Sequence, residues 1–443
     1  MKIISGAQEV FPLTAPQYLG NQKLSELQDR APGYVNIEKT IRPKFGDIKI
    51  LDESFSEDQI QDFFRFIVLD SQIQSNPELL DEDFEIKCSP YECGRVLEAD
   101  APIDIDGKPH IITVKGIGAT NFFRQTGAVT KYISMLERRG EKHNPELFSK
   151  VPYHGRSGLL DKLIMDAELQ GADLARALGI PTQRNLAVAE LKQLPNSDGI
   201  FTSINTLQQQ GFIESDLNPV ILVRAMRSNF RIIDFVNLFD RNDVEGLNWL
   251  IAETKKLHLN DLGPNPSNQK LFTFLVKQLA EGALKICFAG LSMNVYFADD
   301  FARNVTVAGE FIDLDDLRKT SGNYPSSTTE NFGRHLKMIM QISISLGHAL
   351  SSVSDRTISM KPSTIYFVDQ LIRKLKSGDA NHLYESLSQS WKNELSISRF
   401  RYEILRQAVS YFYDYSFHGE FRKQSESTSR AVKQYLANKG LER

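Results

Sequence analysis

Between residues 84 and 116 apolar and polar positions alternate with period two, first in FEIKCSPYECGRVLEA and again, after IDGK, in HIITVKG. Alternation bounded by Gly and Asp-Gly predicts a hairpin with one buried face. At 158–178, GLLDKLIMDAELQGADLARAL, the period lengthens to that of a helix, and Leu160, Leu163, Ile164, Ala167, Leu174 and Leu178 form one apolar face. Gly179 supplies a left-handed C-terminal position, and Pro181 cannot continue the helix. RNLAVAEL and NPVILVRAM read as two further strands. Beyond them helical periodicity dominates, over 230–258, 268–288, 330–352, 363–376, 382–393 and 396–415. Nearer the start, SFSEDQIQDFFRFIVLDSQ predicts a helix opened by Ser54 or Ser56. ARNVTVAGEFIDLDD, 302–316, reads as two short extended runs folded around a glycine, with Asn304 at one end and Asp313 at the other.

Strands with one helix first, then helices, is the order of an α+β protein with a small sheet lobe and a larger helical lobe. The expected division is an N-terminal extension over 1–80 packing on the first lobe, a sheet lobe over 81–232 and a helical lobe over 233–443. No repeat or low-complexity tract interrupts this order.

Composition narrows the class without altering that order. Apolar residues at 41% and charged residues at 24% are ordinary for folded soluble proteins and disfavour a disordered or fibrous chain. A formal net charge of −4 provides no global field for nucleic acid or an anionic membrane, so neither is expected as a partner. Three cysteines, Cys88, Cys93 and Cys287, suit neither a disulfide framework nor a zinc site. No leader-like start is visible and no stretch approaches about 18 uninterrupted apolar residues, which points to a cytoplasmic protein. The eight histidines do not fall at metal-ligand spacing. The aromatic run SYFYDYSFHGEFRK reads as packing, not as a nucleic-acid platform.

A small sheet lobe joined to a helical lobe is how protein kinases hold ATP in a cleft, and the parts such a site needs occur in order. Lys115 ends an apolar strand with Gly116 and Gly118 just after it. Alone it would be a strand-end lysine reaching water. Glu168, on the next helix, is the candidate partner that would hold it, because an unpaired buried charge is costly. Asn304 and Asp313 offer the hard oxygen donors that Mg²⁺ takes, in the order in which kinases supply them.

VKGIGAT resembles the lysine strand of the selenoprotein O family, LARALGIPTQRNLAV resembles that family's helix-to-strand passage, and YECGRVLEA, with Gly94, resembles its glycine-rich hairpin. Arg224 and Arg231, seven apart in VILVRAMRSNFRI, and Asn304 and Asp313, nine apart around Gly309, match further motifs of the family over residues 91–320. The resemblance implies a protein-kinase-like two-lobe fold that binds ATP with Mg²⁺ or Mn²⁺ and transfers AMP to hydroxyl side chains of a protein or peptide. It implies Lys115 on phosphate, Glu168 anchoring it, Arg224 and Arg231 on the outer phosphates, and Asn304 and Asp313 on metal.

The chain also departs from the family. The Asp that usually precedes the metal Asn is Arg303 here, the family's HG ahead of this loop is AG, and the C-terminal redox cysteine has no counterpart. Asp299, five residues before Asn304 at kinase spacing, and Asp300 compete for the place beside the acceptor hydroxyl. Three functions follow: AMP transfer, ordinary phosphoryl transfer, or a nucleotide-binding scaffold without catalysis.

Overall fold

The computed structural model describes residues 45–56, 103–116, 160–195, 201–209, 217–240, 242–293, 304–319, 325–354, 357–359, 361–414 and 422–439, with short pieces at 21–23, 58, 60, 85–87 and 96–98. Helices and antiparallel strands make it an α+β chain, and its contacts divide it into two compact units. One comprises Met1–Leu169 and Gln183–Asn229, the other Gln170–Thr182 and Phe230–Arg443. The second unit thus takes the end of the helix Lys162–Ala177 as well as everything after Asn229.

The first unit is built on a seven-stranded antiparallel sheet. Its centre is Pro219–Met226, buried at every position, which is why that segment reads as an unbroken apolar run. Lys108–Lys115 and Arg184–Leu191 pair on either side of it. The hairpin joining Ile103–Ile105 to Lys108–Lys115 turns at Asp106 and Gly107, both with positive φ (55° and 73°), a backbone that matches the right-handed twist of paired strands. Asp104 Oδ1 accepts from Gly107 N at 2.9 Å and locks the turn. Alternation then sorts the side chains onto two faces. Ile112, Val114, Ala189, Ile221 and Val223 belong to one core cluster, while Val188, Val220 and Leu222 pack with Leu160 and Met165 in another.

The helix Lys162–Ala177 differs from its sequence-based expectation in two ways. It begins at Lys162, because Leu160 and Asp161 form a short strand against Val220 and Pro219. Its buried face is also rotated: Met165, Glu168, Gly171, Ala172 and Ala175 point inward, while Leu163 and Ile164 are exposed. Small residues at helical spacing permit an approach that leucines would prevent. The inward face is therefore set by side-chain volume as much as by hydrophobicity.

The second unit is mainly helical. Asn268–Phe288 is its central helix, opened by Ser267, whose side chain accepts from Lys270 N, and buried through Leu271, Leu275, Leu279 and Ala283. Pro325–Ser352 packs on it and on Ile397–Asp414, and Lys361–Lys376 packs against Arg422–Asn438. The expected helix over 230–258 is two, Ile232–Asp240 and Val244–Leu257. Asn242 at φ 56° breaks the run, and Asp243 restarts it by accepting from Gly246 N at 2.8 Å. The segment 382–393 likewise divides, into Asp379–Glu385 and Gln389–Glu394. The helix expected from Ser54 or Ser56 lies mostly outside the described residues.

Candidate functional site

The helix-covered face of the sheet carries a group of polar side chains. Lys115 stands opposite Leu222 and Thr113 opposite Arg224, so all four lie on the same face. The register between Pro219–Met226 and Arg184–Leu191 shifts between Val223 and Arg224, which sets Asn185 opposite Arg224. Such a bulge re-aims the side chains beside it. Glu168, at the centre of the helix's buried face, enters this group with no solvent exposure.

Lys115 Nζ donates to Glu168 Oε2 at 2.6 Å, the contact anticipated from the sequence. Glu168 Oε1 accepts from Gln183 Nε2 at 2.6 Å and from Arg224 Nη1 at 3.1 Å. Gln183 also donates to Asn185 Oδ1 at 2.9 Å, and its own Oε1 accepts from Arg224 Nη1 at 3.0 Å. Arg224 Nε donates to Thr113 Oγ1 at 3.2 Å. A buried carboxylate is tolerated only when its lone pairs are met by donors and its charge by cations, and both conditions hold here. Lys115 alone of the three charged groups keeps some exposure, 17% of its side chain against 0% for Glu168 and Arg224.

Two of the expected phosphate-side residues therefore have structural duties. Arg224 is wholly enclosed, and its Nε and Nη1 donate to Thr113, Glu168 and Gln183. Gly116 has φ 96°, and a Cβ there would lie 2.4 Å from the Val220 carbonyl oxygen, so close strand packing already requires a glycine. Gln183 and Asn185 were not anticipated. Their signal was present as polar residues two apart, at the head of an otherwise apolar strand.

In the second unit, Asn304–Leu314 is held on many sides. Ile232 N donates to Val305 O at 3.0 Å, Val307 N to Phe230 O at 2.8 Å and Phe311 N to Pro181 O at 2.8 Å. His258 Nε2 lies 2.7 Å from Val307 O, and Thr182 Oγ1 donates to Phe311 O at 2.6 Å. Instead of a continuous two-stranded ladder, the segment makes isolated bridges, Val305 with Phe311 and Arg231 with Thr306, around Gly309 at φ 79°. Three glycines allow its close seating. A Cβ on Gly282 would meet the Phe311 ring at 2.3 Å, one on Gly171 the Leu314 carbonyl oxygen at 2.0 Å, and one on Gly309 the Gln278 side chain at 2.8 Å.

Every residue of this segment is buried except Asn304 and Asp313. Ile312 N donates to Asn304 O at 2.8 Å and draws the two ends together. Asp313 adopts a left-handed backbone, φ 53° and ψ 52°, which Asp tolerates better than most residues. Its Oδ2 accepts from Arg231 Nη2 at 3.0 Å, and Arg231 N in turn donates to Asp234 Oδ2 at 2.8 Å. Arg231 thus belongs with Asp313 in the second unit, while Arg224 belongs with Glu168 in the first.

Among the described residues no group of three or more His, Cys, Asp and Glu side chains is assembled for a metal. Asn304 and Asp313 are a different donor set, one amide oxygen and one carboxylate, which by type suits a hard cation that keeps several waters or phosphate oxygens. Gly94, Gly118, Asp299, Asp300 and Arg303 lie outside the described residues. No described helix is long and apolar enough to cross a membrane. No protein-family model matches the chain, and the search of curated proteins likewise finds no match.

Proposed function

We propose that the chain binds ATP with Mg²⁺, Mn²⁺ serving as an alternative, and transfers AMP to a hydroxyl side chain of a protein or peptide in a kinase-like fold. The observation that carries this proposal is the ion pair between Lys115, on a sheet strand, and Glu168, on the following helix, at 2.6 Å. A strand lysine held by a helix glutamate is the device with which kinases grip ATP phosphates, and its use here is an analogy of parts. The resemblance of the lysine strand, the helix-to-strand passage and the Asn304–Asp313 spacing to the selenoprotein O family favours AMP as the transferred group.

In this proposal Lys115 donates to phosphate oxygens from a fixed position, while Asn304 and Asp313 present oxygen donors to the cation. Arg231 holds the Asp313 carboxylate through Oδ2. The cation, when bound, neutralises phosphate charge. Arg231, whose guanidinium matches phosphate better than an ammonium does, is suited to an outer phosphate oxygen. The acceptor hydroxyl oxygen bonds to the α-phosphorus, the bond to the bridging oxygen breaks and pyrophosphate leaves. The hydroxyl proton passes to Asp299 or Asp300.

Phosphoryl transfer is the second candidate, favoured by the kinase spacing of Asp299 before Asn304 and by Arg303 beside it. Incubation with ATP labelled at the α or γ phosphate separates them. Label from the α position on protein is expected. Label from γ alone makes the chain a kinase, and binding without either makes it a scaffold. Asp313→Asn, which keeps an acceptor for Arg231, is expected to lower affinity for the metal nucleotide about tenfold or more. Unchanged binding and transfer would remove Asp313 from the metal site.

A further inference from the structure

We propose that Gln183 and Arg224 are positioning residues for Lys115 and act through Glu168. They hold one carboxylate oxygen of Glu168 so that the other faces the lysine ammonium before any ligand arrives. What Lys115 then grips rests on the nucleotide function proposed above; the positioning itself does not.

The two oxygens of Glu168 have separate employment. Oε1 takes the Gln183 amide at 2.6 Å and the Arg224 guanidinium at 3.1 Å, and Oε2 takes Lys115 at 2.6 Å. A planar carboxylate with one oxygen fixed by two donors cannot rotate without losing both. Those donors are themselves fixed, Gln183 by Asn185 and by Arg224, and Arg224 by Thr113. Thr113, Asn185 and Arg224 stand on three adjacent strands of one sheet, and Gln183 immediately precedes the strand Arg184–Leu191. Sites whose supporting groups sit on rigid elements hold their geometry more tightly than sites on loops.

Where a lysine and a glutamate depend only on each other, movement of the helix breaks the pair and switches the site off. Here the carboxylate is tied to the sheet that carries the lysine, so the pair stays engaged without waiting for ligand or modification. Arg224, which the sequence suggested as a phosphate contact, is a part of this clamp and has no exposed surface to offer a ligand.

Acylation of Lys115 by a water-soluble amine-acylating reagent, read by peptide mass spectrometry on the nucleotide-free full chain, tests the clamp directly. A lysine nitrogen engaged by a carboxylate at 2.6 Å must leave that contact before it can be acylated. Glu168→Gln supplies the reference for a released lysine. Gln183→Met is expected to raise the Lys115 acylation rate at least threefold towards that reference, with Lys277, on the surface, unchanged. Gln183→Asn, one methylene short of reach, serves as a milder second variant and is expected to do the same. Wild-type reactivity of Lys115 in either folded Gln183 variant, alongside acceleration in Glu168→Gln, overturns the proposal. ATP affinity measured on the same proteins keeps the two ideas apart: a wild-type chain that binds no ATP overturns the nucleotide function, while Lys115 acylation still decides the clamp.

Discussion

A carboxylate without solvent, as at Glu168, is stable only while its donors remain, and here they are a lysine, an arginine and an amide. Glu168→Ala would leave Lys115 and Arg224 facing each other with their common counterion gone. Breaking a buried pair by removing one partner costs about 3–5 kcal/mol. Chemical denaturation of Glu168→Ala is expected to show a loss of that size, and Glu168→Gln, which keeps the volume and an acceptor, a smaller one. At this scale the sequence was informative where position narrows the choice of partner. Lys115 at the end of an apolar strand called for a carboxylate, and of the acids on the helix, Asp166, Glu168 and Asp173, Glu168 bordered the apolar face and matched the family's helix glutamate. For Arg224 it did not reveal the bonds to Glu168, Gln183 and Thr113, because an arginine beside phosphate and an arginine beneath a helix have the same spacing. Only the facing element distinguishes them, and that element is distant in sequence.

Among elements, the segment Asn304–Leu314 shows how backbone approach is written into glycines. Gly282 lies mid-helix, where glycine costs about 1 kcal/mol relative to alanine, and the Phe311 ring occupies the space a Cβ would need. Gly282→Ala should therefore destabilise the second unit by about 1–3 kcal/mol despite its better helix propensity. Gly378→Ala is the contrasting case: its backbone is helical at φ −65° and ψ −16°, nothing lies within 4 Å of the added Cβ, and a gain of about 0.4–1 kcal/mol is expected. Thermal and denaturant melts of the two variants should move in opposite directions. The strands RNLAVAEL and NPVILVRAM and the helix 268–288 were legible because periodicity is local. The break at Asn242 was less so, since one left-handed residue interrupts an otherwise continuous apolar pattern. The rotated face of Lys162–Ala177 was hidden because inward packing selected Gly171, Ala172 and Ala175, which a hydrophobicity pattern underrates.

For the molecule as a whole, the α+β order was visible from the sequence, whereas the assignment of Gln170–Thr182 to the second unit depends on long-range packing. Its response to acid follows from buried imidazoles. Burial, with Arg334 beside it, pushes the His335 imidazole down from an ordinary 6.5 to about 4. The folded pKa lies below the unfolded one, so between these values the unfolded chain binds more protons and stability falls as pH falls. The full shift amounts to roughly 3 kcal/mol, developed between about pH 6.5 and pH 4 and absent above it. His110, also lowered by burial, acts in the same direction. Denaturant midpoints measured from pH 7 to pH 4 should decline, and His335→Gln should flatten the part of the decline that belongs to the second unit.

The burial of all but two residues in Asn304–Leu314 separates inheritance of shape from inheritance of chemistry. The interior positions answer to packing and are constrained whatever the protein does. Positions 304 and 313 are half-buried, and Asp313 answers also to Arg231 and to its own left-handed backbone. A lineage carrying this scaffold could exchange the side chain at 304 while the socket stayed the same, whereas an exchange at 313 must also suit Arg231.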